Sequence, residues 1–415
     1  MKSSYKYLLV VALSIIFSLF LAEIGTRVIT PMFQKKGGIS PSLDQPAFNV
    51  PINKEDSKLF WRLKPLAHYK EIDINSKGFR GKEFSAKKGN GVYRIIALGD
   101  SSTLGVGVPN SETYCAMLES FLNQSKNSLR RYEVINAGVA GYSSLQGLRY
   151  FKSEITHYQP DLITIYFGLN DYLYARNQND CDRPQLAPWV IRIDTLMSYS
   201  QFYRYLKGMA SRLMNPERKY PPDRRVDLPD FKNNLIQMIA VAREARAEVI
   251  LLNVPLRSGI PLVVNPLPLR KESKDGARLE WLRPAYIGKT NYFIKTEFEG
   301  PTSELEEIVE KYPQWAMAHY LLAKRYEKMG EIEKAWREYQ RARETDLDRD
   351  VVARYNKAIE EVASAYKIPL VDLVGGFAEK EGEGLFLDER HPSPLGHKII
   401  AEGIYSMLKT SRLVD

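Results

Sequence analysis

Residues 94–108 read Arg94-Ile95-Ile96-Ala97-Leu98-Gly99-Asp100-Ser101-Ser102-Thr103-Leu104-Gly105-Val106-Gly107-Val108. Residues 95–98 are an unbroken apolar run, the pattern of a strand buried on both faces of a parallel sheet. Gly99 ends the run, and an aspartate and three hydroxyl residues follow before Gly105 and Gly107. A strand entering a tight turn that carries a serine exposes a nucleophile at the edge of a sheet. The spacing is not that of the Gly-x-Ser-x-Gly elbow, because the serine directly follows Gly-Asp. Alone, the tripeptide marks no more than a turn. A catalytic reading of Ser101 depends on what else converges on it.

Outward from this stretch, four more short apolar runs recur at 132–136, 162–167, 249–253 and 369–373, with helical segments between them. Strands alternating with helices predict a parallel sheet covered on both faces. Right-handed crossovers make that a three-layer α/β/α sandwich whose functional edge lies at the carboxyl ends of the strands. The remaining polar motifs fall at those ends. After the second run comes Asn136-Ala-Gly-Val-Ala-Gly141-Tyr-Ser143, whose glycine leaves a backbone N–H free to approach a ligand. After the third comes Gly168-Leu-Asn170-Asp171, which offers a side-chain amide. Near the C-terminus stands Leu387-Asp388-Glu-Arg-His391-Pro-Ser-Pro-Leu-Gly-His397. There Ser393 can cap a helix with Pro394 in its first turn, and Leu395, Ile399, Ile400, Ile404 and Leu408 supply its apolar stripe. His391 is then held in a rigid turn, three residues after a carboxylate. Singly, each motif reads as a turn glycine, a cap or a surface histidine. Their order, each past a strand end, favours a shared site.

These residues resemble the SGNH (GDSL-type) hydrolases, whose four blocks occur here in order as Gly99-Asp100-Ser101, Gly141, Gly168-x-Asn170-Asp171 and Asp388-x-x-His391. The resemblance covers about residues 74–408 apart from a helical insertion. It implies a flavodoxin-like sheet, ester chemistry, and neither metal nor cofactor. The segment Asn75-Ser-Lys-Gly-Phe-Arg80 also looks like what precedes the first strand in membrane-anchored bacterial members.

The chemistry of the side chains gives a matching mechanism. A serine hydroxyl is a poor nucleophile at neutral pH, so an imidazole must take its proton, and His391 is the candidate base. Asp388 would hold the other ring nitrogen and stabilise the imidazolium. Three donors could form the oxyanion hole: the N–H of Ser101, the N–H of Gly141 and the amide of Asn170. Asp100 reads as a brace for the turn, Asp171 as an anchor for its loop, and His397 as structural.

The 415 residues leave room for two or three domains. A net charge of +9 is spread along the chain, with clusters at 218–225 and 257–283, and reads as a solvated basic surface facing an anionic membrane or polyanion. No nucleic-acid motif is present. Cys115 and Cys181, the only cysteines, make at most one disulfide. Residues 7–22 carry no charge and are preceded by Lys2 and Lys6, and Ile24, Val28 and Ile29 can extend the run. This predicts an uncleaved single-pass transmembrane helix with the body of the protein periplasmic or at the cell surface, the rival reading being a cleaved signal peptide.

The expected organisation is a membrane anchor at 1–33, a linker and N-terminal extension at 34–91, hydrolase domain at 92–255, an insertion at 256–350 and the rest of the hydrolase domain at 351–415. In the insertion, residues 256–300 leave the catalytic edge of the sheet and can wall a substrate groove with Trp281. Ser303 with Glu306 reads as a capping box. Residues 316–349 fit one tetratricopeptide-like repeat through Leu322, Ala323, Tyr326, Gly330, Ala335, Tyr339 and Ala342. A single repeat packs on neighbouring helices or offers a surface to a protein partner.

The sequence thus points to a membrane-anchored serine esterase for acyl esters, O-acetyl groups foremost, of an extracytoplasmic carbohydrate or lipid. Two alternatives stand beside it: an acyltransferase using the same triad on a polysaccharide, and a non-enzymatic assembly factor acting through the repeat.

Overall fold

The strand that runs into Ser101 is an inner strand of a five-stranded parallel sheet, and the apolar run 95–98 fills its second half. The structure is a computed structural model describing residues 7, 13–14, 17–28, 51–124, 130–173, 175, 179–183, 185–214, 224–257, 300–311, 313, 316–345, 347–380, 384–388 and 390–414. Two units are formed: Met1–Asn49, Glu55–Lys58 and Pro184–Pro221 make the first, and Val50–Lys54, Leu59–Arg183 and Pro222–Asp415 the second.

The second unit begins with short strands β1 (Asn53–Asp56), whose last residues belong to the first unit, β2 (Phe60–Leu63), β3 (His68–Tyr69) and β4 (Ile72–Asp73). The sheet then comprises β5 (Val92–Gly99), β6 (Arg131–Gly138), β7 (Leu162–Tyr166), β8 (Glu248–Leu252) and β9 (Leu370–Val371), in the spatial order β6-β5-β7-β8-β9. This is the flavodoxin-like order. Ile95, Ile96 and Leu98 are fully buried, as a strand covered on both faces requires.

Register decides where the site forms. Gly99 lies opposite both Gly138 of β6 and Tyr166 of β7. Three strands therefore end level, and the loops after them emerge side by side.

Helices α1 (Ser101–Leu104), α2 (Tyr114–Asn123) and α3 (Ser144–Ser153) follow the first strands. The first unit supplies α4 (Pro188–Met197) and α5 (Gln201–Met214). Then come α6 (Leu228–Glu244), α7 (Thr302–Lys311), α8 (Ala316–Lys328), α9 (Ile332–Glu344), α10 (Leu347–Tyr366), α11 (Leu373–Ala378) and α12 (Pro394–Thr410). Around the sheet, α2 packs with α12, and α6 with both α3 and α10.

Of the expected linker and N-terminal extension at 34–91, residues 51–91 are described. Besides their four short strands they bury Phe79, whose ring meets Phe84, Tyr150 and Tyr158 at centroid distances of 5.1 to 6.1 Å. Arg80 bridges to Asn136 of β6. The strands are too short to announce themselves by periodicity, and it is tertiary packing that orders them.

In the insertion, Leu305, Ile308 and Val309 of α7 join Ala318, Leu322 and Tyr326 of α8 and Ala335 of α9 in one apolar cluster. Gly330 turns the chain between α8 and α9 in the left-handed region, at φ +78°. Ser303 lies inside α7 rather than capping it, and Glu306 accepts the Tyr326 hydroxyl instead (2.5 Å). Helix α10 crosses the expected boundary at 350 and belongs with the sheet's helices. Residues 258–299, with Trp281 and the expected groove wall, lie outside the described residues. Both cysteines are free thiols, so no disulfide joins Cys115 to Cys181.

Of the expected membrane anchor at 1–33, residues 1–6, 8–12, 15–16 and 29–33 lie outside the described residues, and 17–28 are helical. Among the described residues, no helix is long and apolar enough to cross a membrane.

Candidate active site

The chain leaves β5 through Gly99, where a Cβ would stand 2.1 Å from Thr103 Oγ1 and 2.8 Å from the Tyr166 carbonyl oxygen. Only glycine lets the strand turn this closely on α1. Asp100 caps that single turn, its carboxylate accepting the Ser102 N–H at 2.9 Å, and Gly105 closes it in the left-handed conformation. Ser101 is thereby fixed at the first position of α1, at the carboxyl edge of the sheet.

His391 arrives from the other end of the sequence. Its Nε2 lies 2.9 Å from Ser101 Oγ, and its Nδ1 lies 2.6 Å from Asp388 Oδ2. The N–H groups of Arg390 and His391 both donate to Asp388 Oδ1, at 2.9 and 2.7 Å, so the carboxylate shapes the turn that carries the imidazole. Ser393 caps α12 by accepting the Gly396 N–H, with Pro394 in the first turn. Burial pushes the Asp388 carboxyl up. The charge and hydrogen bonds of His391 outweigh it and hold the group well below the usual carboxylate range. Both ring contacts are satisfied when Nδ1 carries the proton toward Asp388 and Nε2 accepts from the serine hydroxyl.

The two other loops reach the same edge. Gly141 adopts φ +77°, a conformation that side chains strain to reach. Asn170 is buried, and its Nδ2 donates to Asp100 Oδ2 at 3.0 Å. Burial raises the Asp100 carboxyl to about 6, against the opposing pull of the Ser102 N–H and the charges of His391 and Arg390. Asp171 accepts the Ser144 N–H at the start of α3 (2.8 Å), tying the Asn170 loop to the Gly141 loop. Burial lifts its carboxyl to about 7. His397 is buried elsewhere: it stacks on Tyr114 (5.9 Å) and accepts that residue's N–H at 3.2 Å. Burial, with the positive charges of Arg80 and His391, lowers its pKa to about 3.

Two arginines that sequence reasoning passed over hold these loops. Arg80 donates to the carbonyl oxygens of Leu104, Gly105 and Val108, to that of Glu71 (3.0 Å), and to Asn110 Oδ1 (2.8 Å). Every acceptor but Glu71 and Asn110 belongs to the loop that carries Ser101. Arg225 donates to the Gly141 carbonyl oxygen (2.8 Å), to Gln146 Oε1 (2.9 Å) and to Asp180 Oδ2 (2.7 Å). Asp180 Oδ2 also accepts the Ser143 hydroxyl, and Trp61 Nε1 donates to the Ala140 carbonyl oxygen at 3.1 Å. Arg225 lies in the basic cluster read as a solvated surface, yet its side chain is only 12% exposed. The one signal for Arg80 was its place in the glycine-turn segment. Arg225 carried none, because its partners come from 45 to 84 positions away. A surface cleft lined by Lys88, Asp161, Glu244 and Arg246 opens at the amino ends of the strands, away from Ser101.

With this geometry in place, residues 97–290 match the family model described as GDSL-like Lipase/Acylhydrolase. Residues 97–290 thus carry a GDSL-like lipase/acylhydrolase domain. The protein is accordingly an ester-hydrolysing enzyme. Similar solved structures include the lipase/acylhydrolase from Enterococcus faecalis, 16% identical with a TM-score of 0.38, covering 77% of this chain and 96% of its own. A catalytic mutant of an acetylxylan esterase from Geobacillus stearothermophilus is 13% identical, at a TM-score of 0.38 and coverages of 76% and 94%. The protein TesA is 16% identical, at 0.38, 76% and 98%. No curated protein is a significant match. The serine turn after β5 of this GDSL-like hydrolase falls within the matched residues.

Proposed function

We propose that this GDSL-like hydrolase cleaves acyl esters through a triad of Ser101, His391 and Asp388. The observation that carries the reading is the 2.9 Å contact of His391 Nε2 with Ser101 Oγ, on an imidazole held from behind by Asp388. His391 takes the serine proton as Oγ attacks the ester carbonyl, and returns it to the leaving alkoxide. The acyl group passes to Ser101 and then to water, activated by the same imidazole. The N–H groups of Ser101 and Gly141 and the Asn170 amide meet the developing oxyanion. The resting contact of Asn170 with Asp100 keeps that amide oriented.

The substrate of this reading is an acyl ester, O-acetyl foremost, on an extracytoplasmic carbohydrate or lipid, with residues 7–29 as the membrane anchor. Its support is the uncharged N-terminal run followed by a basic chain. Purified full-length protein offered a panel of acyl esters and acetylated glycans, with and without a sugar acceptor, tests it. Free acid as the product, lost in Ser101→Ala, is the expected result. Acyl groups recovered on the acceptor would make it a transferase, and turnover surviving in a folded Ser101→Ala would overturn the triad.

A further inference from the structure

The first unit turns apolar stripes outward. On the N-terminal helix, Phe17, Leu19, Phe20, Leu21, Ile24 and Val28 are all exposed, with Phe17, Leu21, Ile24 and Val28 at intervals of three and four residues. On α4, Trp189, Ile193, Leu196 and Met197 repeat that spacing, with Trp189 64% and Leu196 70% exposed. Tyr205, Leu206 and Met209 make a third exposed set on α5. Among its described residues the longer second unit exposes fewer large apolar side chains, Leu66, Val374 and Leu395 singly and Met329, Ile332 and Trp336 around the start of α9. A helix of a water-soluble domain turns such a stripe toward the core.

The polar ties of this unit run between its helices. Glu23 accepts the N–H groups of Gln201 (3.1 Å) and Phe202 (3.0 Å) and the Ser200 hydroxyl (2.7 Å), and so caps α5. Asp194 of α4 accepts from the Tyr203 hydroxyl and from Lys207 Nζ, each at 2.7 Å. Polar bonds link the helices while the apolar faces look out, the reverse of a soluble bundle. Arg27, Arg192, Arg204 and Lys207 are exposed on the same helices, and both acidic groups, Glu23 and Asp194, are already bonded.

We propose that α4 and α5 form a helical hairpin seated in the interface of an anionic lipid bilayer, coupled to the N-terminal helix through Glu23. This adds a second membrane element to the anchor reading and rests on it. Aromatic and aliphatic stripes beside basic side chains suit the boundary between acyl chains and anionic headgroups. A second copy of the chain is the poorer occupant. A two-fold interface sets a patch against itself, and this patch is net basic.

The test uses the full chain carrying Cys181→Ser, since Cys115 is buried. Single cysteines introduced as Leu196→Cys, as Phe20→Cys, and as Trp336→Cys for a control carry an environment-sensitive fluorophore. The proteins are reconstituted in vesicles of phosphatidylglycerol and phosphatidylcholine. The expected result is a blue shift and several-fold quenching by lipid-borne quenchers at positions 196 and 20, with the label at 336 remaining in water. A water-exposed label at 196 beside a quenched one at 20 would overturn the hairpin and leave the anchor standing. A label at 196 hidden from water but unreached by lipid quenchers would mean protein cover, and would overturn it too. Turnover of a soluble ester, measured on the same samples, reports separately on the triad.

Discussion

The guanidinium of Arg80 donates to the carbonyl oxygen of Gly105, the residue that closes the helical turn begun by Ser101. A residue outside the sheet thus holds the far side of the nucleophile's turn. Lysine has one compact ammonium and cannot reproduce the planar fork. Arg80→Lys leaves buried carbonyls of the nucleophile loop without a donor, at roughly 1–3 kcal/mol for each group left unsatisfied. A melting temperature lower by several degrees and a kcat reduced about tenfold, with KM nearly unchanged, are expected. Wild-type values for both would show the clamp to be dispensable.

Ser101→Ala and His391→Ala should each lower kcat/KM by about 10⁴-fold or more, and the double variant should be little worse, because the two groups act as a unit. Asp388→Ala should be milder than either. Steady-state kinetics on a small activated ester, with circular dichroism to verify folding, decide it. Multiplicative losses in the double variant would mean that serine and histidine act independently.

Gly138 ends β6 where a Cβ would stand 2.2 Å from the Leu104 backbone nitrogen and 2.6 Å from the Thr103 carbonyl carbon. Both atoms belong to the Thr103–Leu104 peptide, which leaves no side chain to swing away. Gly138→Ala should therefore cost about 1–3 kcal/mol through overpacking and displace α1. Loss of activity is expected even at temperatures where the variant is fully folded. A variant as stable and as active as wild type would refute the close approach.

The Asp171 carboxyl, ordinarily near 3.8, is raised to about 7 by burial, and it is fully buried. A group whose folded pKa is raised contributes stability that is whole below the unfolded pKa and is lost as pH rises through the folded one. The loss here runs from about pH 4 to about pH 7, at roughly 1.4 kcal/mol per pKa unit. Asp171→Asn keeps an acceptor for the Ser144 N–H and carries no charge. The variant should be more stable than wild type at pH 8, and that advantage should vanish by pH 4. Urea titrations at a series of pH values measure it, and parallel stability curves would contradict the assignment.

The five strands were legible in the sequence because each is an apolar run with turn residues at its end. Ser101 stood out because it follows Gly99-Asp100 at a strand end, His391 because Pro392 follows it, and Asp388 because it stands three residues before that histidine. The supports of their turns were not legible. Arg80 acts on residues 24 to 28 positions further on, and Arg225 joins Asp180 from 45 positions away. Such pairings exist only once the sheet has set the loops side by side. The short strands of residues 51–91 escaped because two to four residues carry no usable period. Likewise, a capping box at Ser303 is sound locally, but Tyr326 competes for Glu306 once α7 and α8 pack.

The hydrogen bond between Ser101 and His391 spans 290 positions. During synthesis Ser101, its glycine turn and the Gly141 and Asn170 loops can all be laid down while His391 is still unmade. A nascent chain that stops short of His391 therefore holds Ser101 without its imidazole partner, however well its turn is formed.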